Sequence, residues 1–173
     1  MSDSYTFFYG GPLSNFHPSF FIDNYDNVSY SCVEQYYCAG KAKFFKDNYA
    51  LSQIMSTSNP KKMKRIGRSV KNFCSDRWRG GGDLSNSPAK QYMYKGCYLK
   101  FSQLDKFKEL LLDTGKTFLV EASPYDCIWG IGMSSDSLLA KNPKFWRGTN
   151  WLGEILTSVR DRILEEDRQK LLF

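Results

Sequence analysis

The sequence predicts an α+β fold, with several helices around a small sheet in one domain. Short segments rich in aromatic and branched residues, each ended by Gly, Pro, Asn or Asp, indicate a few strands. Longer segments with apolar residues at helical spacing follow typical helix-start residues. No internal repeat or long linker interrupts the 173 residues. We therefore expect a single domain over residues 1–173, whose last helix ends in a charged, solvated tail from about residue 165.

The strands are predicted near the start of the chain and once in its second half. Residues 118–121, Phe-Leu-Val-Glu, form the strongest strand pattern. Residues 6–9 end at a Gly-Gly-Pro turn, and residues 19–22 end at Asp-Asn. Residues 28–30 follow as a hairpin partner. Together these segments predict a small sheet.

The helices are predicted from their start and stop residues. Ser31 and Glu34 fit the S-x-x-E capping box, which begins a helix that runs to about residue 45. Asn59 and Pro60 are typical of an N-cap and a first helical position, and Gly67 of a helix stop. Further helices are predicted over residues 48–55, from residue 87, over residues 104–112 and from residue 149 or 150 to 164.

The composition narrows the class of function. A net charge of +6 favours anionic partners such as phosphates, nucleotides or nucleic acid. Five cysteines without a C-x-x-C motif argue against a disulfide framework, and a single histidine, His17, argues against a zinc site or a Ser-His-Asp triad. No apolar run approaches the ~20 residues that span a bilayer. The opening Met-Ser-Asp-Ser-Tyr lacks the pattern of a signal peptide, so we expect a cytoplasmic protein without membrane association.

The predicted helix from Ser31 offers the first candidate site. Glu34, Cys38 and Lys41 share one face of this helix, and Tyr37 lies on the adjacent face. A carboxylate and an ammonium two turns apart could flank a bound phosphoribose. The alternative is that Glu34 is only the capping-box acid, bonded back to the Ser31 amide.

The loop after the strongest strand offers a second candidate site. Asp126 precedes Trp129, and Gly130 and Gly132 would let the backbone approach a ligand closely. An acid beside an indole suits a glycosidase pocket, in which the ring stacks on the base and the carboxylate faces the sugar carbon that becomes cationic. The alternative is an Asp that caps a turn and a Trp that packs in the core.

Three further features suggest contacts with a ligand. The basic stretch of residues 61–71 contains Arg68, whose guanidinium could bond two phosphate oxygens, although a solvated helix face or a nucleic-acid patch would also explain it. Trp78, beside a glycine run, either lines a cleft or packs in the core. Asn150 either caps the last helix or bonds a ligand. These residues alone indicate an α+β domain with affinity for phosphate, since no P-loop or nucleophile elbow is present.

Several sequence blocks stand in one order along residues 7–163. The most specific are Glu-Gln-Tyr-Tyr at 34–37 and Ser-Pro-Tyr-Asp at 123–126, which is followed by Trp-Gly at 129–130. The other blocks are Leu-Ser-Asn-Phe at 13–16, Lys-Ala at 41–42, Gly-Arg at 67–68, the Trp at 78, Lys-Phe-Ser-Gln at 100–103 and Asn-Trp-Leu-Gly at 150–153. In this order the blocks resemble the NADAR family (NAD and ADP-ribose, also called YbiA-like).

The resemblance implies an N-glycosidase that needs neither a metal nor a redox cofactor. The implied substrate is ADP-ribose attached to guanine, in DNA, RNA or a nucleotide; phosphorylated intermediates of riboflavin synthesis are the alternative, and a non-catalytic ADP-ribose-binding module is a third. The catalytic positions fall on Glu34, Asp126 and Lys41. The expected substrate-binding residues are Trp129, Arg68, Trp78, Asn15, Tyr37, Gly130, Gly132 and Asn150. We expect the two carboxylates to converge on one cleft, where Glu34 or Asp126 stabilises an oxocarbenium-like ribose and activates water.

Overall fold

The structure, a computed structural model, describes residues 4–172. Residues 1–3 and 173 lie outside this range. They include part of the predicted domain span and of the opening residues that were compared with a signal peptide. In chain order the elements are β1 (Tyr5–Phe8), β2 (Phe21–Asp23), β3 (Val28–Tyr30), α1 (Val33–Phe44), α2 (Asn48–Met55), α3 (Pro60–Arg68), α4 (Ser75–Arg79), α5 (Pro88–Gln103), α6 (Asp105–Leu112), β4 (Phe118–Glu121), two 3₁₀ turns (Leu138–Lys141 and Pro143–Phe145) and α7 (Trp151–Lys170).

The chain divides into two compact units. Asn15–Leu104 forms the central unit, whereas Met1–Ser14 and Asp105–Phe173 together form the terminal unit. Each unit contains one two-stranded sheet: β2 and β3 pair antiparallel in the central unit, and β1 and β4 pair parallel in the terminal unit. The α+β prediction is confirmed, with two small sheets in place of one.

In the central unit, α1 packs against α2, α3 and α5. Glycines allow the close contact with α5, because a Cβ on Gly40 would lie 2.2 Å from the Tyr92 ring. A Cβ on Gly96 would lie 3.0 Å from the Tyr36 ring. Nine residues of α1 are buried, because α2, α3 and α5 cover most of the surface of this helix.

The predicted helix starts after Asn59 and Ser87 are confirmed. The Asn59 side chain accepts hydrogen bonds from the first amides of α3, and Ser87 accepts one from the Lys90 amide in α5. The predicted stop at Gly67 is wrong, since α3 continues to Arg68. Gly67 instead lies where a Cβ would be 2.7 Å from the Cys38 sulfur, so the glycine serves helix packing.

In the terminal unit, α7 packs on β4. A Cβ on Gly153 would lie 2.1 Å from the Leu119 carbonyl oxygen, so only glycine permits this approach. Helix α7 ends at Lys170, so the charged tail predicted from about residue 165 is the last part of this helix. An apolar cluster lies beside β4; its buried members are Val120, Ala122, Ile131, Met133 and Ala140. None of the helices in residues 4–172 combines the length and the apolar character needed to cross a membrane.

Candidate functional site

Helix α1 places three predicted site residues on one face of the central unit. Glu34 lies in the first turn, Cys38 one turn later and Lys41 near the C-terminal end. All three are buried, with 4 % of Glu34 and 8 % of Lys41 exposed. A buried carboxylate and a buried ammonium on one helix are costly unless they are paired or hydrogen-bonded.

The start of α1 shows that the cap does not depend on Glu34. The N-cap residue is Cys32, so the third helical position belongs to Gln35. The Ser31 amide donates to Gln35 Oε1 over 2.7 Å, and the Ser31 hydroxyl lies 3.0 Å from the same oxygen. The predicted capping box is thus wrong by one residue, since Gln35 takes the place assigned to the acid. The Glu34 carboxylate is left for other partners.

Two side chains hold the Glu34 carboxylate. Asn15 Nδ2 donates to Glu34 Oε2 over 2.5 Å, and the Cys38 thiol donates to Glu34 Oε1 over 3.3 Å. The Glu34 amide also donates to the Asn15 carbonyl oxygen over 2.9 Å. Burial, followed by the charge of Glu34, raises the pKa of Cys38 well above its ordinary value, so the thiol remains protonated and able to donate. The orientation of the carboxylate is therefore set by donors on both of its oxygens.

Lys41 lies beside this acid in a partly apolar site. Its ammonium donates to the Gly67 carbonyl oxygen over 2.8 Å and lies 3.8 Å from the centre of the Phe73 ring. Burial lowers the pKa of Lys41, and the nearby positive charges of Arg79 and Arg68 lower it further, against the opposing effect of Cys38 and Glu34. Two further cationic side chains, Arg79 and Arg68, thus act on the ammonium of Lys41.

The two arginines differ from Lys41 in exposure. Arg68 ends α3 and Arg79 ends α4, and both are exposed. Exposed guanidiniums can bond two oxygens of a phosphate at once, which a buried ammonium cannot do as readily. Arg68 was among the predicted residues, whereas Arg79 was missed because the short helix α4 was not predicted before the glycine run.

Trp78 and Tyr37 belong to an aromatic cluster of the central unit. Trp78 is 1 % exposed, and its indole Nε1 donates to the Tyr37 hydroxyl over 2.9 Å. The Trp78 ring stacks on Tyr92 at 5.6 Å and also contacts Phe44 and Phe45. The expectation that Trp78 lines a cleft is corrected, because its ring is enclosed by other rings. Burial raises the pKa of Tyr37 above its ordinary value, so this hydroxyl stays neutral.

In the terminal unit, Asp126 organises the turn that follows β4. Its Oδ1 accepts hydrogen bonds from the Ile128 amide over 3.0 Å and from the Trp129 amide over 2.8 Å. This is the turn-capping role that the sequence left open as the alternative to catalysis. The Trp129 ring packs edge-on against Trp151 at 5.6 Å and remains partly exposed.

The two glycines of this loop serve its own backbone. A Cβ on Gly130 would lie 2.9 Å from the Glu121 carbonyl oxygen and 3.0 Å from that of Asp126. Gly132 has a φ of +68°, a conformation that L side chains rarely adopt. Both glycines are thus required by the loop itself, and their close approach to a ligand stays a prediction.

Asn150 connects β4 to the start of α7. Its Oδ1 accepts from the Glu121 amide over 2.9 Å, and its Nδ2 donates to the Leu119 carbonyl oxygen over 3.0 Å. The side chain is 1 % exposed and makes no cap hydrogen bond, although Asn150 occupies the N-cap position with a φ of 54°. Both polar atoms of the Asn150 side chain thus bond to β4. The sequence suggested a helix cap or a ligand contact instead.

The predicted site residues thus fall into two groups. Asn15, Glu34, Tyr37, Lys41, Arg68 and Trp78 belong to the central unit, and Asp126, Trp129, Gly130, Gly132 and Asn150 to the terminal unit. That Glu34 and Asp126 share a cleft stays a prediction. A groove of about 510 Å³ in the terminal unit, beside Lys116 and Arg160, is lined by none of these residues. Within residues 4–172, no three His, Cys, Asp or Glu side chains are grouped to hold a metal ion.

The chain is a helix-rich α+β protein in which two side chains donate hydrogen bonds to a buried carboxylate, Glu34. The sequence matches the NADAR domain family over residues 7–164, and the chain belongs to this family. The resemblance seen in the sequence blocks is confirmed.

Individual relatives extend this result. The chain is 33% identical over 171 residues to an N-glycosidase of Acanthamoeba polyphaga mimivirus, which covers 92% of this chain and 96% of the viral protein. It is 30% identical over 164 residues to the chloroplastic riboflavin biosynthesis protein PYRR of Zea mays, covering 89% of this chain and 23% of the maize protein. Among solved structures, the NMR structure of the E. coli protein YbiA matches with a TM-score of 0.74 and 26% identity, over 96% of this chain and 89% of YbiA.

Proposed function

We propose that this NADAR protein is an N-glycosidase that releases ADP-ribose from ADP-ribosylated guanine in nucleic acid or in nucleotides. The observation that carries the proposal is the state of Glu34: it is buried, it is not needed for the helix cap, and Asn15 and Cys38 hold its two oxygens. A carboxylate oriented in this way is suited to a reaction that develops positive charge on a sugar carbon. The N-glycosidase name of the viral relative supports the same reaction type.

The mechanism assigns the chemistry to the central unit. As the bond from ribose to the base nitrogen lengthens, the ribose carbon gains oxocarbenium character and Glu34 stabilises it. Glu34 then takes a proton from the attacking water. The departing base gains a proton from Lys41 or from solvent; the lowered pKa of Lys41 favours such a transfer, because less free energy is needed to remove its proton.

The exposed arginines explain why the substrate would carry phosphates. Arg68 and Arg79 end two helices, and both act electrostatically on Lys41, which shares a face of α1 with Glu34. A diphosphate such as that of ADP-ribose presents several oxygens to two guanidinium groups. We assign the diphosphate to these arginines. That Trp129 stacks on the base stays a prediction.

Asp126 has a supporting role in this proposal. One of its oxygens accepts two backbone amides of its own loop, so its main contribution is the shape of the loop that presents Trp129. Its assignment as a catalytic acid remains a prediction that substitution can test.

A second candidate substrate is favoured by the maize relative, whose name assigns it to riboflavin biosynthesis. Phosphorylated intermediates of that pathway would use the same acid and a single phosphate group in place of a diphosphate. Only the leaving group and the number of phosphates would differ.

A substrate panel tests the proposal. Purified protein is incubated with ADP-ribosylated guanosine and, separately, with the phosphorylated riboflavin intermediates, and products are separated by liquid chromatography with mass detection. Release of free ADP-ribose is the expected result. Release of a phosphorylated sugar from the riboflavin intermediates alone would favour the second candidate. Binding of ADP-ribosylated guanosine without any cleavage would identify a non-catalytic module and contradict the proposal.

A further inference from the structure

The segment around α3 has an unusual charge composition. Residues 48–75 contain no Asp or Glu but include six cationic residues, and the net charge of the whole chain is +6. The excess charge of the protein therefore comes from this one segment, while the rest of the chain is balanced. We use the name basic face for its exposed members outside the proposed diphosphate site: Lys61, Lys62, Arg65 and Lys71.

In the described part of the chain, acids neutralise the basic face at most at Lys71, whose amide donates to the Asp47 carboxylate over 2.8 Å. Some cations elsewhere have acidic partners: Lys43 pairs with Asp26 over 2.7 Å, and Lys95 with Asp23 over 2.7 Å. Within residues 4–172, no member of the basic face forms a salt bridge. Like charges held together on one helix repel each other, and an anionic partner would remove this cost.

The apolar side of α3 decides between two kinds of anionic partner. Met63 is 0 % exposed and Ile66 is 7 % exposed, because this side of the helix packs into the central unit, where Gly67 meets Cys38. A basic helix that binds a lipid surface inserts its apolar side among the acyl chains. In α3 that side is already buried, so a phosphate chain in solution fits the basic face better than a membrane does.

Two exposed aromatic residues accompany these charges. Tyr49 lies in the first turn of α2 and is 69 % exposed, and Phe73 is 39 % exposed. The Asp47 carboxylate accepts hydrogen bonds from the Lys71 amide over 2.8 Å and the Ala50 amide over 3.0 Å, so the segment after α3 lies against the start of α2. Rings on which bases can stack, next to cations that contact phosphates, are typical of surfaces that bind single strands.

We propose that the basic face, with Tyr49 and Phe73, binds a single-stranded nucleic acid that carries the modified base to Glu34. The C-terminal end of α3 is linked to the acid's helix, since Lys41 donates to the Gly67 carbonyl oxygen. A buried acid reaches a base more readily in a single strand, because a base in a duplex must first leave the stack. The inference rests on the proposed function, because the strand would carry the base on which the glycosidase acts. Binding of the strand can nevertheless be measured without turnover.

A matched pair of triple variants tests this surface. In the first, Lys61, Lys62 and Arg65 are each replaced by Glu; in the second, the exposed residues Lys106, Lys141 and Lys144 are replaced by Glu. Each set lowers the net charge from +6 to zero, so the two variants differ in the position of the charges and not in their number. Binding of a labelled, unmodified single-stranded oligonucleotide is measured by fluorescence anisotropy at several salt concentrations.

The expected result is that the first variant binds at least about tenfold more weakly than wild type and loses about two units of the salt slope, at roughly 0.7 for each lost phosphate contact. The second variant should bind within about threefold of wild type, and thermal melting should show that both fold. Replacement of the same three residues by Gln gives an intermediate loss if charge is responsible, and provides the test should the Glu variant fail to fold.

Three results would overturn the proposal: equal weakening in both Glu variants, no salt-dependent binding by wild type, or tighter binding of wild type to anionic phosphatidylserine vesicles than to the strand. Cleavage of ADP-ribosylated guanosine by the first variant separates this proposal from the proposed function. Normal cleavage with weakened strand binding supports both. Strand binding that depends on the basic face in a protein without any glycosidase activity would retain the surface and reject the enzyme.

Discussion

The two carboxylates singled out in the sequence are held in different ways in the two units. Glu34, in the central unit, is buried and its oxygens accept from the side chains of Asn15 and Cys38. Asp126, in the terminal unit, is only partly buried, and its Oδ1 accepts from the amides of Ile128 and Trp129. The first arrangement fixes a carboxylate, whereas the second uses a carboxylate to fix a backbone turn.

This difference separates a role in chemistry from a role in shape. If Glu34 is made neutral, the local backbone keeps its hydrogen bonds, because Gln35 takes the capping place. If the Asp126 side chain is removed, two loop amides lose their acceptor, and the loop that carries Trp129 loses its support. A substitution at Glu34 should therefore lower activity more than stability, and removal of the Asp126 side chain should lower stability more than activity.

The largest expected effect is that of Glu34→Gln on turnover. The substitution keeps the size and one acceptor oxygen but removes the charge, so kcat for ADP-ribosylated guanosine should fall about 10²–10⁴-fold, as for loss of a positioned acid or base. Melting temperature should change little. Glu109→Gln, at an exposed acid of α6, is the matched control and should leave kcat unchanged. A wild-type rate in Glu34→Gln would exclude this residue from catalysis.

Asn15→Ala should have the next largest effect. The substitution removes a donor to the buried carboxylate, and hydrogen bonds to charged groups contribute about 1.5–3 kcal/mol. We expect kcat to fall about tenfold to a hundredfold while KM stays nearly constant, because Asn15 positions Glu34 and does not hold the substrate in this mechanism. The control is Asn24→Ala, at an exposed residue of the same unit. A rise in KM at constant kcat would instead indicate direct contact with substrate.

Asp126 is tested by a pair of substitutions. Asp126→Ala removes the acceptor of two amides and should lower the free energy of unfolding by about 1–3 kcal/mol. Asp126→Asn keeps an acceptor oxygen and should retain both stability and kcat to within about threefold. Urea denaturation and steady-state kinetics of both variants distinguish the roles. A stable Asp126→Asn variant with a rate as low as that of Glu34→Gln would show that Asp126 is a catalytic acid after all.

The smallest effect concerns the buried thiol beside Glu34. Because burial raises the pKa of Cys38 in the folded protein, the unfolded chain loses the thiol proton first, and the contribution of Cys38 to stability, present below pH 9, is lost as pH rises above it. The difference in free energy of unfolding between wild type and Cys38→Ala should therefore fall by at most about 1.4 kcal/mol for each pH unit. Denaturation at pH 8 and pH 10 under reducing conditions measures this change.

The matched control for the thiol is Cys127→Ala, at an exposed cysteine of the terminal unit. We expect its difference from wild type to stay constant between the two pH values. An equal change in both variants would mean that the environment of Cys38 is not responsible for the pH dependence.

Features that depend on neighbouring residues could be predicted from the sequence. The N-caps at Asn59 and Ser87, the strand Phe118–Glu121 and helix α2 follow from local preferences, and the structure confirms them. The charge of the α3 segment was also evident, because it is a property of composition. Helix α4 was missed, because its five residues are too few to show an apolar period.

The sequence by itself determined the α+β class, the family blocks and the positions of the acids and cations. Tertiary structure alone decided how they are used: Trp78 is enclosed by rings, and both polar atoms of Asn150 bond to β4. The physical reason is that a hydrogen bond or a ring contact depends on groups far apart in the chain. Spacing along the sequence can bring a residue to the right face of a helix, but only packing selects its partner.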